Sequence, residues 1–522
     1  MKRNVNSLLA LSLGAILLTA CASKTREQQT ALRASLEKKD YAKAKEIISD
    51  PEFLSDKNNT LLKMMERGRT FFLAKDYYQA LNEFNKARDL SEELFTVSMS
   101  KKASSAVVND NADNYYGESY EKSLIRYYQS LTHHMLSVEE TYEAHTILEK
   151  GADDKLVSRV IPEKKLSASE INFHRNASKN VLIDWDSYLS SLKSTTGGKV
   201  TYKDDLLAKL YGAYIHQSAG SNTDVQIAKD LYRSAKKVLL KNYNIYSSFN
   251  AKFSDFRKNF SKLAEMPLSE VEEKFIVQTK NNKELQSFID QQLASLEKGK
   301  PNNVLFVVED GFVQEKVVKK IDFPLADSKN GRQLASMDGG FVNFTTNILK
   351  LSAGAVPKIY FELPEIPYRP ASNSTTLIVQ SVDGKITKEL PLYIVDPMDE
   401  IANQALDERS TSLYVKTGAR VAGKHLAALL SAYTIYQQTK DKGEMIAMTA
   451  ATFAYSAANK AIEASERADL RSWRSLPQNF LLSSGRLPAG EYKISMKENG
   501  TVTPMKDIKV NKVARNIINL QK

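Results

Sequence analysis

Cysteine is almost absent from this sequence: the 522 residues contain one, Cys21. A single thiol excludes an internal disulfide, so the folded chain must be stabilised by ordinary hydrophobic cores, and about 500 residues suffice for two or three domains. Histidine is also scarce, with six residues and neither an HExxH nor a His-x-His arrangement. We therefore predict no metal site, since structural zinc needs closely spaced cysteine and histidine ligands.

Motifs of familiar enzymes are missing as well. The chain has no Gly-x-Ser-x-Gly elbow and no Walker phosphate loop. Residues 196–199, Thr-Gly-Gly-Lys, lack the length of a phosphate loop and the helix that must follow one, which favours a turn. The sequence therefore predicts a protein that is not an enzyme and has no catalytic residue. It predicts no cofactor other than a lipid covalently attached to Cys21.

Uncharged apolar runs are short throughout the chain. The earliest, from Leu8 to Leu18, follows Lys2 and Arg3 and is too short to span a membrane. A basic start followed by such a run is typical of a signal peptide, which we predict over residues 1–20. No later segment has the 18 or more uncharged apolar residues that a transmembrane helix needs.

A lipobox ends the signal peptide: Leu18, Thr19 and Ala20 precede Cys21. Small residues before a cysteine are the pattern that lipoprotein signal peptidase reads. We therefore predict cleavage before Cys21 and a diacylglycerol on its thiol, with further acylation of the new N-terminus. Two or three acyl chains, at about 0.8 kcal/mol per buried methylene, give a durable membrane anchor.

The anchor and the charge together limit the partners. We predict a lipid-anchored tether at residues 21–29 and, because Ala22 follows the cysteine in place of aspartate, an outer-membrane location that faces the periplasm; surface exposure stays an alternative. Without Lys2 and Arg3 the formal charge is +9, from 71 basic and 62 acidic residues. Such a surface suits anionic lipid or wall polymers, or is simply mixed and solvated. Nucleic acid is not expected, since no basic run is interleaved with aromatic residues.

Residues 30–298 have apolar residues at helical spacing and very few prolines, which predicts a helical domain. Its clearest pattern resembles a tetratricopeptide repeat (TPR), in which small residues lie where two helices cross and large residues fill the space around them. The packing positions of this repeat are Gly68, Phe71, Tyr77, Ala80, Phe84 and Ala87. The same phase recurs at Gly212, Ala228, Tyr232 and Ala235.

Weaker copies make the array irregular. One has Tyr41 and Ala44 in the second-helix phase. Another is a further helix pair that contains Tyr128, Leu131, Ala144 and Leu148, with a register through Tyr120 and Tyr127 as the alternative. Stacked repeats form an α-solenoid whose concave surface binds an extended peptide or a partner helix. For any single tyrosine, packing in the core is the competing interpretation.

Composition changes at Pro301, and residues 302–522 predict an α+β domain with a mainly antiparallel sheet. We expect strands over 302–396, an Ala-rich helical hairpin over 397–467, and final strands over 480–522 that join the same sheet. Small residues spaced by about four predict the contact between the two hairpin helices. These stripes are Ala419, Gly423, Ala427 and Ser431 on the first helix, and Ala450, Ala454, Ala457 and Ala461 on the second.

The densest group of unusual residues follows this hairpin. It contains Asp469, Arg471, Trp473 and Arg474, just before Pro477. We favour a structural lock, in which an ion pair and an aromatic plug fasten the end of the hairpin to the sheet before the proline ends the helix. The alternative is an Asp–Arg pair beside an exposed tryptophan, which would form a recognition surface for a glycan, a peptide or a carboxylate.

Together, the lipobox, the irregular TPR-like half and the sequence Ala-Asp-x-Arg-Ser-Trp-x-x-Leu-Pro at residues 468–477 resemble a family of uncharacterised Gram-negative outer-membrane lipoproteins. Members of that family are often encoded beside a lipoprotein activator of a peptidoglycan synthase. The resemblance implies a role in the cell envelope and carries over no catalytic residue.

The hypothesis is therefore a non-enzymatic scaffold that binds envelope proteins and is held to the membrane through its lipid. Binding of peptidoglycan or a surface glycan is the alternative. An enzyme of unfamiliar type, with a cleft of perturbed titratable groups, is a third interpretation.

Overall fold

The computed structural model of the protein describes residues 24–101, 113–150, 156–195, 202–263, 265–324, 344–345, 347–348, 358–369, 375–512 and 515–522. The predicted lipid-attachment residue Cys21 and the lipobox residues Leu18, Thr19 and Ala20 lie outside the described residues, as do residues 196–199.

Helices make up most of the first half of the chain and the hairpin of the second. In chain order they are α1 (24–37), α2 (Tyr41–Ser49), α3 (Thr60–Leu73), α4 (Tyr77–Lys101), α5 (Ser119–Glu139), α6 (Ala168–Thr195), α7 (Leu206–Ala219), α8 (Asn222–Lys241), α9 (Phe253–Leu263), α10 (Leu268–Phe275), α11 (Lys280–Glu297), α12 (Met398–Thr439) and α13 (Glu444–Ser465).

The strands are grouped in two places. Four short ones lie among the helices: β1 (Thr141–Tyr142), β2 (His145–Lys150), β3 (Leu156–Ile161) and β4 (Lys164–Lys165). The others are β5 (Val304–Asp310), β6 (Val317–Pro324), β7 (Lys358–Glu365), β8 (Thr375–Ser381), β9 (Thr387–Pro397), β10 (Asn479–Gly485), β11 (Gly490–Glu498), β12 (Thr501–Val510) and β13 (Asn516–Gln521). The predicted α+β class is confirmed.

Helix α1 corrects the predicted tether, because residues 24–29 are helical rather than extended. Leu32 and Leu36 of this helix are buried in the main hydrophobic core, and Gln29 is buried beside them. Burial of that apolar face holds the segment in a packed helix.

Helices α3 and α4 approach each other closely at Gly68. Gly68 of α3 lies against the ring of Phe84 in α4, and a Cβ atom at position 68 would come within 2.7 Å of that ring. Helices α7 and α8 form the second pair, but there Gly212 has room: its nearest neighbour would be Leu231 at 3.5 Å. The two glycines are therefore not equivalent, although they occupy equivalent positions in the pattern.

Substitution of each glycine by alanine tests whether the two helices approach closely at that position. We expect Gly68→Ala to lower the free energy of unfolding by about 1–3 kcal/mol, because the added methyl group overpacks the helix crossing. The matched control Gly212→Ala removes a helix-interior glycine without a clash, so its stability should be unchanged or higher by up to about 1 kcal/mol. Urea unfolding of both variants tests this, and equal effects would show that the crossing at Phe84 is not tight.

The helical half is interrupted where the sequence predicts a further helix pair. Glu140 adopts a left-handed conformation (φ 55°) and ends α5. Ala144 then lies in a loop and Leu148 in β2, which pairs antiparallel with β3. The predicted helix pair in this region is therefore wrong. Strands form here because residues 141–161 are rich in β-branched side chains, which favour strands over helices.

A seven-stranded sheet forms the centre of the second half, in the order β12-β11-β8-β9-β10-β5-β13. Its neighbouring strands are antiparallel except β13, which pairs parallel with β5. The edge strands β12 and β13 touch, so the sheet curls into a barrel-like shape. Its inner face is filled by side chains such as Phe306, Leu377 and Ile494. Strands β6 and β7 form a separate hairpin.

The outer face of this sheet packs directly on the helical half. One hydrophobic core contains Tyr127 and Tyr211 from the helices together with Phe480 and Ile517 from the sheet. The hydroxyl of Tyr214 also donates to the backbone carbonyl of Asn516 at 2.9 Å, across the same joint. The regions 30–298 and 302–522, predicted as two domains, therefore share one core.

Helices α12 and α13 form the predicted hairpin, but with different contact faces. The interior is built from larger residues and the alanines opposite them: Val421, Leu429, Tyr436, Ala447, Ala451 and Tyr455. The predicted contact residues Ala419, Ala427 and Ser431 are exposed instead. Burial of the larger side chains removes more apolar area from water, which decides the rotation of the helices. Among the described residues, no helix combines the length and apolarity that a membrane crossing requires.

Candidate functional site

Trp473 lies at the joint between the helices and the sheet, in the loop that follows α13. Its side chain is fully buried, and its ring packs 5.8 Å from that of Tyr128 and 6.2 Å from that of Phe84, between ring centroids. The indole N–H donates to the hydroxyl of Ser475 at 3.0 Å. A recognition surface requires an exposed indole, so the geometry of Trp473 fits a structural lock.

Two buried carboxylates of the helical half hold the backbone of this loop. The N–H of Trp473 donates to Glu121 at 2.8 Å, and the N–H of Arg474 donates to Glu66 at 2.9 Å. Burial raises the pKa of both carboxyl groups, and hydrogen bonds to each oppose that effect. The side-chain amide of Gln29 bridges Glu66 and the carbonyl of Ser472, at 2.9 Å each. The first described helix is thus part of the joint.

The charged residues of the loop are also bonded within the protein. Arg471 pairs with Asp469 at 2.8 Å and reaches across to Asn59 and to the carbonyl of Asp113. Arg474, which is almost fully buried, pairs with Glu315 at 3.2 Å. The structure brings these four predicted residues together with the repeat residue Phe84, and it uses all of them in packing or internal bonds.

The remaining repeat positions are core residues. Their shared property is burial, and they are Gly68, Phe71, Tyr77, Ala80, Ala87, Gly212, Ala228, Tyr232 and Ala235. None of them is placed to contact a ligand at the surface.

Truncation of Trp473 tests the lock. We expect Trp473→Ala to lower the free energy of unfolding by about 3–5 kcal/mol, because the fully buried indole leaves a cavity at the joint. Phe453→Ala is the matched control, since that side chain is 77% exposed and its loss should change stability by less than about 0.5 kcal/mol. Thermal unfolding of both variants is the measurement. Equal, small shifts would contradict a lock.

A polar pocket of about 230 Å³ borders this loop, and the sequence analysis does not predict it. Its walls come from five separate segments: residues 113–118 before and at the start of α5, Lys316, residues 362–364 of β7, part of α12, and residues 467–469. Side chains that meet from such distant positions form no motif in the sequence. Of the residues that line the pocket, only Asp469 belongs to a group that the sequence analysis singles out.

Glu118 is the central charge of the pocket. Its carboxylate accepts from Arg409 at 2.5 Å and from Lys316 at 3.2 Å, and Lys316 also donates to the carbonyl of Arg471. Burial alone would raise the pKa of Glu118, but the two cations lower it to about 2. The pocket therefore holds an ionised carboxylate that is paired with two cations.

The lowered pKa of Glu118 makes stability depend on acid. An unfolded glutamate has a pKa of about 4.3. The contribution of ionised Glu118 to the free energy of unfolding is therefore fully present above that pH and is lost as the pH falls toward about 2. We expect Glu118→Gln to lower the free energy of unfolding at pH 7 by about 3 kcal/mol and to flatten its decline in acid. Urea unfolding between pH 7 and pH 2 measures this. The control Glu389→Gln, at an exposed ion pair, should leave the curve unchanged.

Two histidines that are distant in the sequence meet between α5 and α6. His133 and His174 are 2.8 Å apart between their Nδ1 atoms, and His174 also bonds the hydroxyl of Tyr142 at 2.7 Å. Burial lowers the pKa of His133 to about 3, so this histidine is neutral at physiological pH. Within the described part of the chain, no group of three or more histidine, cysteine, aspartate or glutamate residues is placed to hold a metal ion.

Comparison with protein-family models, with curated proteins and with solved structures finds no match to this chain. The resemblance stated from the sequence therefore stays a prediction.

Proposed function

We propose that the protein is a lipid-anchored, periplasm-facing scaffold of the outer membrane that binds other envelope proteins and catalyses no reaction. The lipobox ending at Cys21 and the resemblance to a family of Gram-negative lipoproteins support the location. The inward, mutually bonded arrangement of the loop after α13 supports a structural rather than a catalytic use of its charged residues.

We propose further that the helical half is an irregular TPR-like array. The tight pair α3–α4, with Gly68 against Phe84, and the pair α7–α8 support this relation. Two of its tyrosines, however, face the sheet and not an open groove: Tyr127 packs on Phe480, and the hydroxyl of Tyr214 donates to the carbonyl of Asn516 in β13. A partner would therefore bind elsewhere on the surface.

The observation that carries the scaffold proposal is the surface of the α12–α13 hairpin. Six large apolar side chains are exposed along it: Tyr414, Val415, Leu430, Met445, Ile446 and Phe453. Between residues 425 and 459 the only charged residues are Lys440, Asp441, Lys442 and Glu444, all at the turn. Four of these side chains, Leu430, Met445, Ile446 and Phe453, lie within this charge-poor stretch, and exposed apolar side chains with few charges around them favour a contact with another protein.

In-cell photo-cross-linking tests the scaffold. A photoreactive phenylalanine analogue replaces Phe453, and the same analogue at Val502, which is 50% exposed on β12, is the matched control. We expect one or two discrete envelope proteins to cross-link at position 453 and not at 502, and the adducts to disappear in a Cys21→Ser background.

Two results would contradict this proposal. Equal adduct patterns at positions 453 and 502 would show that the hairpin is not a specific docking surface. No specific protein adduct, together with pelleting of the purified protein with isolated sacculi, would favour the peptidoglycan-binding alternative.

A further inference from the structure

A basic hollow of about 450 Å³ lies at the end of the sheet where β5 begins. Its charged lining residues are Lys388 near the start of β9, Arg486 in the loop between β10 and β11, and Lys512 in the loop between β12 and β13. No aspartate or glutamate is among the described residues that line it. The hollow therefore has three positive charges and no negative charge of its own.

These three cations have no acidic partner. Lys388 donates to the backbone carbonyl of Arg486 at 2.7 Å. Within the described part of the chain, the side chains of Arg486 and Lys512 form neither a hydrogen bond nor an ion pair. All three residues are exposed, so only water and dissolved ions compensate their charges. A concave surface lined by charges of one sign raises the local concentration of ions of the opposite sign.

The backbone around the hollow is fixed by two asparagine side chains. Asn303 donates to the carbonyl of Leu487 and accepts from the N–H of the same residue, at 2.8 Å each. Asn516 donates to the carbonyl of Asn303 at 3.2 Å and accepts from the N–H of Asn511 at 2.8 Å. The side chain of Leu487 is also buried in the inner core of the sheet. The loops that carry the cations are thus held in place before a ligand binds, which lowers the entropic cost of binding.

The charge and the size of the hollow limit the ligand. A ligand with one negative charge would leave two of the three cations unpaired, whereas a phosphate monoester carries about two negative charges near pH 7 and offers three acceptor oxygens. Guanidinium groups bind phosphate oxygens through paired donors, and lysine ammonium groups bind them as point charges. A volume of about 450 Å³ is within the roughly 300–1,000 Å³ of small-ligand sites, so the hollow also admits a small organic group attached to the phosphate.

We propose that this hollow binds a small phosphate monoester, with its phosphate among Lys388, Arg486 and Lys512 and its organic group on Pro488 and Ala489. The ligand chemistry goes beyond the scaffold proposal and does not depend on it. The source of the ligand follows from where the hollow lies in the molecule.

The hollow and the first described helix lie at opposite ends of β5. Asn303, which lines the hollow, precedes this strand, and the carbonyl of Val313, which follows the strand, accepts from Arg33 of α1 at 2.8 Å. A strand of seven residues spans about 20 Å. A lipid on Cys21 would hold the α1 end near the membrane and the hollow farther from it. The ligand is therefore a soluble phosphate monoester and not a head group of the anchoring membrane, a step that rests on the proposed lipid anchor.

Binding of glycerol phosphate to the full chain with Cys21→Ser, measured by calorimetry or ligand-observed NMR, is the first test. We expect saturable binding in the millimolar range and about tenfold weaker binding of dimethyl phosphate, which carries one negative charge, since a hydrogen bond to a charged group contributes about that factor. Absence of binding, or equal binding of the two compounds, would overturn the proposal.

Substitution of the cations assigns the binding to this hollow. Arg486→Gln and Lys512→Gln should each weaken binding of glycerol phosphate by roughly tenfold, because each removes a charged donor. The matched control Lys274→Gln also removes one exposed cation, but one that is already paired with Glu270 at 2.7 Å, and it should bind like the parent protein. Unchanged melting temperatures show that the variants are folded. A loss in the control equal to that of Arg486→Gln would overturn the assignment.

Lipidated protein in vesicles tests the source of the phosphate. Phosphatidic acid has a phosphate monoester as its head group, and phosphatidylglycerol does not. Vesicles with phosphatidic acid should lower the binding of added glycerol phosphate no more than phosphatidylglycerol vesicles of equal surface charge. A larger reduction by phosphatidic acid would overturn the soluble source and keep the ligand chemistry. The assays on the Cys21→Ser chain use neither the lipid anchor nor a protein partner, so their failure is separate from failure of the scaffold proposal.

Discussion

The ion pair between Arg69 and Glu309 is the constraint on which the joint between helices and sheet depends. Both side chains are almost completely buried, one on α3 and the other on β5. Removing two charges from water costs several kcal/mol for each ion, and only close additional partners offset that cost. Arg69 lies 4.8 Å from the ring centre of Tyr128, and Glu309 accepts from Asn519 and Gln521. Helices and strands that are far apart in the chain must therefore all be in place for the pair to be satisfied.

The same principle explains the loop after α13. Glu66 and Glu121 would be costly as isolated buried carboxyl groups, and the backbone N–H groups of Arg474 and Trp473 give them partners. The loop in turn gains hydrogen bonds that no regular strand or helix would provide at that place. The halves of the protein are thus joined through polar groups inside an apolar core, and the helical face that a solenoid would offer to a partner is covered by the sheet.

Local patterns predicted local structure well. The close approach of Gly68 to Phe84 is decided by neighbours within one pair of helices. The spacing of alanines could not fix the rotation of α12 against α13, since that depends on how much area the larger side chains bury on both helices. The covered face of the helices and the pocket around Glu118 depend on segments that meet only in three dimensions. The sequence favours a lock at Trp473 but does not exclude a recognition surface, because the burial of this side chain depends on Phe84 and Tyr128, which are distant in the chain.

The parallel strand β13 makes the sheet and its joint with the helices depend on the same short segment. Its residues Asn519 and Gln521 complete the surroundings of Glu309, and Ile517 completes the main core. A chain terminated before residue 516 would present β5 as an open strand edge and Glu309 as a buried acid short of partners. Loss of this one strand would therefore destabilise the helical half as well as the sheet and leave both more open to proteolysis.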